Sequence, residues 1–154
     1  MGNILEGLIL MNGTDIWVRY GVFLVEERRG GMENLTAILT PSKAKKDTAV
    51  NIREQNGEKY SAVLTPCNEA RDVTLHFALY AKTKSEWMRK YFEFVNFLKN
   101  GKNGWLEVNI PQLNLTLKMK YADCSRFTPL TYLYAEGVQA AKFKVKFREP
   151  EPII

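Results

Sequence analysis

The 154-residue chain contains one histidine and two cysteines. That scarcity excludes much chemistry at once. A zinc site needs clustered Cys and His ligands, and neither the number nor the spacing supplies them. His76 has no Ser or Cys partner in a local catalytic signature, so no nucleophile has an evident base. It falls on the polar side of an alternating run and reads as a solvated or hydrogen-bonded strand histidine. Cys67 and Cys124 are far apart, which fits neither a metal pattern nor a secreted disulfide framework. They read as two reduced small core residues, a single buried pair being the other arrangement the composition allows.

Other absences follow. There is no G-x-x-x-x-G-K-[ST] phosphate loop, and "GKNGW" is a Gly-flanked turn. No acidic run has the spacing of a calcium loop. The strand carboxylates worth naming, Glu26, Glu27 and Glu107, read as surface charge. The expectation is therefore no catalytic residue, no cofactor and no metal. No apolar run approaches the roughly 20 residues of a membrane span. "MGNILEGLILMNG" has no basic n-region and is broken by Glu6, so it does not read as a secretory signal. Glu6 also stands where myristoylation requires Ser or Thr. A cytoplasmic product without membrane contact is expected.

What remains is an ordinary globular composition, 45% hydrophobic and 25% charged. A chain of this size buries roughly 70% of its unfolded surface, so it needs no staple. The net charge is +5, with clusters at Lys43, Lys45 and Lys46 and at Lys142, Lys144 and Lys146. Such a balance permits an acidic partner without proving one. In "AAKFKVKF" strict alternation explains the lysines as the outward face of a strand opposite Phe143, Val145 and Phe147. Lysine on an exposed strand also discourages edge pairing.

Most of the chain has the texture of β structure. In "GLILMNGTDI", Asn12-Gly13 between apolar runs is a strong hairpin signal. "GVFLVEE" follows a turn-like Tyr20-Gly21. Leu35–Leu39 is a possible strand, with a Lys-rich loop after Pro41. Asn56-Gly57 in "AVNIREQNGEKYSAVL" predicts a second hairpin, and Pro66 a turn. In "DVTLHFALYA", Val73, Leu75, Phe77 and Leu79 alternate with Thr74, His76, Ala78 and Tyr80. "GWLEVNIP" is a strand, and in "LNLTLKMKY" Leu113, Leu115, Leu117, Met119 and Tyr121 share one face. "LTYLYAEGV" predicts another strand. Strands do not alternate with helices, which argues against a parallel doubly wound sheet. The expected class is mainly β (α+β), an antiparallel β-barrel or sandwich with one flanking α-helix. Residues 1–148 form one domain in this reading, and 149–154 a short C-terminal tail.

The helix is "TKSEWMRKYFEFVNFLKNG". Thr83 and Glu86 make a T-x-x-E capping box, and Asn100-Gly101 a left-handed C-cap. Trp87, Tyr91, Phe94, Val95 and Leu98 fall within an arc of about 100°, enough to seat it on a sheet. Met88 and Phe92 extend the arc on one flank and Phe97 on the other. A helix apolar over more than half its circumference is usually covered from two sides. The second cover is either a loop of the same chain or another subunit, and the expectation leans to the subunit.

These elements, in this order, resemble a family. "YGVFLVEE", "GEKYSAVLTP", "VTLHFALYAKT", the capped helix "SEWMRKYFEFVNFLKNG", "WLEVNI" and a long amphipathic strand are similar to the N-terminal ring-forming domain of siphophage distal tail proteins. More loosely they are similar to the tail-tube fold of phage and type VI secretion tube proteins. The likeness spans nearly the whole chain and rests on element order, not on an invariant motif. It departs in having only seven residues after Phe147, where many distal tail proteins carry a further domain. The resemblance implies a homo-hexameric ring around a channel with DNA as cargo, contacts to other tail or baseplate proteins, and no catalysis. It implies a virion tail component, from a phage or prophage, assembled in the bacterial host cytoplasm. A ring uses heterologous interfaces. The candidate interface residues are Met88, Phe92 and Phe97 on the helix flanks and Tyr132 and Tyr134 in "LTYLYAEGV". The alternative is a small-molecule or carbohydrate binding β-sandwich module, with Trp105, Tyr132 and Tyr134 as stacking surfaces. An unrecognised enzyme using His76 is the third reading.

Overall fold

The structure is a computed structural model, and it describes residues 5–47 and 49–154. Seven strands form one antiparallel sheet: β1 (Leu10–Met11), β2 (Thr14–Asp15), β3 (Val22–Leu24), β4 (Arg71–Ala81), β5 (Leu106–Ile110), β6 (Leu115–Pro129) and β7 (Gln139–Glu149). Their order is β2-β1-β5-β6-β7-β4-β3. The sheet curls into a half-barrel, so the mainly β class holds. Three α-helices are described where one was expected: α1 (Ile16–Tyr20), α2 (Glu33–Leu39) and α3 (Lys84–Asn100).

The long central strands follow their sequence period. Val73, Leu75, Phe77 and Leu79 of β4 are fully buried, and Phe143, Val145 and Phe147 of β7 nearly so. The two strands pair over eleven residues, from Arg71↔Glu149 to Ala81↔Gln139. Phe77 meets Phe143 directly across this ladder, ring centroids 5.8 Å apart. Such cross-strand aromatic pairs fix register, because a slip of one residue would turn every core side chain outward. Lys142, Lys144 and Lys146 take the opposite face.

β6 is longer than the sequence period suggests, for a physical reason. Alternation holds through Leu115, Leu117, Met119 and Tyr121, then fails. The register against β7 shifts between Tyr121 and Asp123 and again between Cys124 and Arg126. Two bulges thus carry the inward face from Tyr121 to Cys124 to Phe127, in steps of three. Each bulge inserts a residue that the partner strand does not match. Leu113 is not part of this face: it closes the 3-10 turn Pro111–Leu113 and is exposed.

Helix α3 lies over β4, β6 and β7 and touches α1. Thr83 caps it as expected, its Oγ1 accepting from the Glu86 N–H at 3.2 Å. The reciprocal half of the box is missing, because the Glu86 carboxylate binds Lys90 at 3.1 Å. At the other end Gly101 has φ 48° and ψ −140°, a positive φ but not the left-handed helical cap expected. Only glycine fits: a Cβ there would lie 2.3 Å from the Trp105 carbonyl oxygen.

Several sequence expectations are corrected. Leu35–Leu39 is helix, not strand; α2 points Asn34 and Ile38, one turn apart, at the sheet. The run after Asp15 forms α1, and Gly21, which read as a turn, is its left-handed C-cap. "LTYLYAEGV" is the exposed β6–β7 loop, since its three largest side chains have nothing to pack against. Asn56-Gly57 does not join two strands; single bridges Ala44↔Asn68 and Val50↔Lys59 hold a loose arm. Pro66 marks no assigned turn. Both cysteines are free, Cys67 exposed and Cys124 half-buried, so Cys67 is not a core residue. The Asn12-Gly13 hairpin is present, with Met11 opposite Thr14 and both turn residues at positive φ.

Asn34 replaces a missing piece of sheet. β3 ends at Leu24, and the Asn34 side chain enters the ladder beyond it. Its Nδ2 donates to the Val25 carbonyl at 2.7 Å, and its Oδ1 accepts from the His76 N–H at 2.6 Å. A side-chain amide thereby continues the β3–β4 pairing and pins α2. At the far end of β4 the buried pair Arg71–Glu149 (3.2 Å) and an Arg71 bond to the Thr40 carbonyl tie down the end of α2. Pro152 is buried, and its carbonyl accepts from Asn68 Nδ2 at 3.1 Å, so the terminal segment is bonded to the body.

Three expected outcomes follow, read by urea unfolding. Asn34→Ala strands two part-buried backbone groups and should cost about 2 kcal/mol. Gly101→Ala should cost about 3 kcal/mol, combining backbone strain with the clash at Trp105. Gly13→Ala, at positive φ but with open space around it, should cost only about 1 kcal/mol.

Candidate interaction surface

The outer side of α3 and the β6–β7 loop form one apolar surface. A groove of about 670 Å³ runs between them, lined among others by Trp87, Met88, Phe127, Leu130, Tyr132 and Leu133. Its floor is aromatic. Trp87 stacks on Tyr91 at 4.9 Å, and both rings meet Phe127 edge-on, at 6.2 and 5.6 Å. The Trp87 Nε1–H is satisfied by the Leu79 carbonyl at 3.1 Å, which fixes the indole. Burial raises the Tyr91 hydroxyl above its ordinary pKa, with Cys124 and Tyr121 adding to the effect.

The five residues singled out from the sequence separate into groups. Met88 and Tyr132 line the same groove. Phe92 is 57% exposed and rests beside Tyr91. Tyr134 is exposed and stacks on Tyr132 at 5.3 Å and 7°. Phe97 is different: it is half-buried and packs on Tyr20 of α1 at 5.6 Å. One flank of α3 is thus covered by α1 of the same chain, while the Met88–Phe92 flank is open. Phe127 went unnoticed in the sequence because the bulges erase the alternation that would have marked it. Trp105 is half-buried, with the Lys118 ammonium over its ring at 5.0 Å, and stands apart from the tyrosines.

The other face of the sheet is charged. Glu27 accepts from Lys144 at 2.9 Å and lies 3.6 Å from Arg126. Asp72 bridges Arg148 at 3.0 Å and Lys146 at 3.7 Å. Each carboxylate serves two bases, so the face stays basic. The Lys144 hydrogen bond holds the Glu27 carboxyl below the usual range. Partial burial, then Lys144, lowers the pKa of His76, which favours neutral imidazole near pH 7. His76 lines a cleft of about 170 Å³ with Glu26, Glu27, Arg126 and Lys142. Burial and then a shared hydrogen bond with Glu33 raise Glu26, while the same bond keeps Glu33 low. Among the described residues no three His, Cys, Asp or Glu side chains group as metal ligands. No described helix is long and apolar enough to cross a membrane.

No protein-family model matches the chain, and no curated protein matches it. One solved structure that resembles it is the Dit protein (gp 19.1) of phage SPP1, described as a paradigm of the hub adsorption apparatus in phages infecting Gram-positive bacteria. The match covers 94% of this chain and 52% of that one, with a TM-score of 0.51 and 14% identity. The chain therefore spans about half the length of the phage protein, and what the two share is the overall fold of that half.

Proposed function

We propose that the protein is a structural component of a phage or prophage tail, assembling as a homo-oligomeric ring, with six copies around a DNA channel. The supporting observation is the likeness to the SPP1 hub protein over 94% of the chain. The open surface of Met88, Phe92, Phe127 and Tyr132 supplies one face of the heterologous contact a ring requires. Isolated exposed apolar residues are common, but a contiguous apolar patch usually marks a contact site. The protein would sit in the virion tail, bind other tail or baseplate proteins, and carry no catalytic role.

One observation favours a second reading, a small-molecule or carbohydrate binding module: the stacked Tyr132–Tyr134 pair beside the groove. Chemical-shift titration with mono- and oligosaccharides separates the two, since a binding module gives saturable shifts confined to those tyrosines.

Light scattering and negative-stain microscopy of the purified chain should show six-membered rings at high concentration, and a monomer throughout would refute the ring. Phe92→Asp should weaken assembly while leaving the melting temperature nearly unchanged, because that side chain is exposed. Phe97→Asp should instead destabilise the monomer by several kcal/mol, since it places a carboxylate against Tyr20 without a partner.

A further inference from the structure

We propose that the arm of residues 51–69 of one copy adds as a strand to the open edge of β6 in a second copy. This rests on the self-assembly part of the reading above and names the segment that makes the contact.

The first observation is a strand edge without a partner. β6 pairs with β5 only from Leu115 to Met119, and with β7 only from Lys120 to Pro129. Among the described residues, no backbone group bonds to the other edge of β6 between Lys120 and Pro129. An open edge is a ready template for an added strand. The apolar cover for that strand is already in place. Phe97 faces α1, so the exposed Met88 and Phe92 lie on the β6 side of α3, beside Tyr91 and Phe127. A strand on this edge would pair its backbone and hide Met88, Phe92 and Phe127 together.

The second observation is a strand-forming segment without a sheet. Every residue from 51 to 69 is exposed, including Ile52, Tyr60, Val63 and Leu64. "KYSAVLT" (59–65) has the β-branched and aromatic content of a strand. Val63 is 78% exposed, the position of a side chain with nothing to pack on. Seven extended residues reach about 23 Å, which suits an edge where eight residues pair with β7 on the far side.

The geometry selects a second copy over the same chain. The root of the arm is fixed by Lys45 N–H to the Cys67 carbonyl (2.8 Å), Glu69 N–H to the Lys43 carbonyl (2.7 Å) and Asn68 to Pro152 (3.1 Å). It leads directly into β4, and β7 stands between β4 and the edge of β6. The outer strands β2 and β3, of two and three residues, are too short to fill that edge in a neighbour. Arm and edge are different surfaces, so the contact is head-to-tail and propagates around a ring.

The test uses the full-length chain in sedimentation velocity, with near-ultraviolet circular dichroism to confirm folding. An arm variant carries Val63→Asp and Leu64→Asp; an edge variant carries Met88→Asp and Phe92→Asp. All four side chains are exposed, so both variants should fold. Each alone should associate at least tenfold more weakly than wild type. An equimolar mixture should give a 1:1 heterodimer, because the intact arm of one meets the intact edge of the other and the chain then terminates. An arm or edge variant that assembles like wild type overturns this contact and leaves the ring reading standing. Two monomeric variants that do not dimerise when mixed also overturn it. A wild-type chain that stays monomeric overturns the ring reading and this inference together.

Discussion

The structure depends on one strand serving two ladders. β6 gives its first five residues to β5 and eight of its remaining ten to β7. Without it the β1–β2–β5 half and the β3–β4–β7 half would be separate sheets. A flat strand of that length could not curve with a half-barrel while keeping one face inward. The bulges near residues 122 and 125 meet both demands: they bend the strand and step the inward face from Tyr121 to Cys124 to Phe127. The same offset leaves the upper edge of β6 unpaired, so an open edge is the geometric consequence of joining the two halves.

The rest of the molecule stabilises that arrangement. Along the β4–β7 ladder the aromatic cluster of Phe77, Phe94, Phe143 and Phe147 locks α3 to β4 and β7, with ring separations between 5.7 and 6.3 Å. At the Arg71 end, Arg71 and Glu149 close the ladder. A buried ion pair contributes little net stability, because desolvation offsets its Coulomb energy, but it tolerates few alternatives. Arg71 also holds the Thr40 carbonyl, so α2 cannot detach without exposing the pair. Asn34 performs the complementary task halfway along β4, where the ladder would otherwise stop.

The regular parts were legible in the sequence because one physical effect set them. Alternation in "DVTLHFALYA" and "AAKFKVKF" reflects a buried and a solvated face, and both strands match. The capped helix was equally plain, since Thr83 and the aromatic arc act locally. Failures came where tertiary partners decide. Leu35–Leu39 is helical because Asn34 and Ile38 must reach the sheet together, which short-range propensity does not encode. The second half of β6 was hidden by its bulges. "LTYLYAEGV" has strand composition but no neighbouring edge, so it remains a loop. Of the five candidate surface residues, four face outward, and Phe97 was claimed by α1, an element the sequence period did not reveal.

The excess of aromatic residues on α3 then has a division of labour. Phe94 and Leu98 are buried against the sheet, and Phe97 satisfies α1. On the solvent side the helix already has Arg89, Glu93 and Asn96, which shows that polar residues are available to a face meeting water. Met88 and Phe92 do not follow that pattern, although neither is needed to hold the helix down. Replacing them with charged residues would cost the monomer little, since an exposed helical site accepts almost any good helix former. Their apolar character therefore carries only a small folding advantage in the isolated chain, where each is about half exposed. It gains more when something lies over the β6 edge, where covering two large side chains would contribute several kcal/mol. In the assembly proposed above, a neighbour on that side would cover this flank together with the unpaired strand edge beneath it.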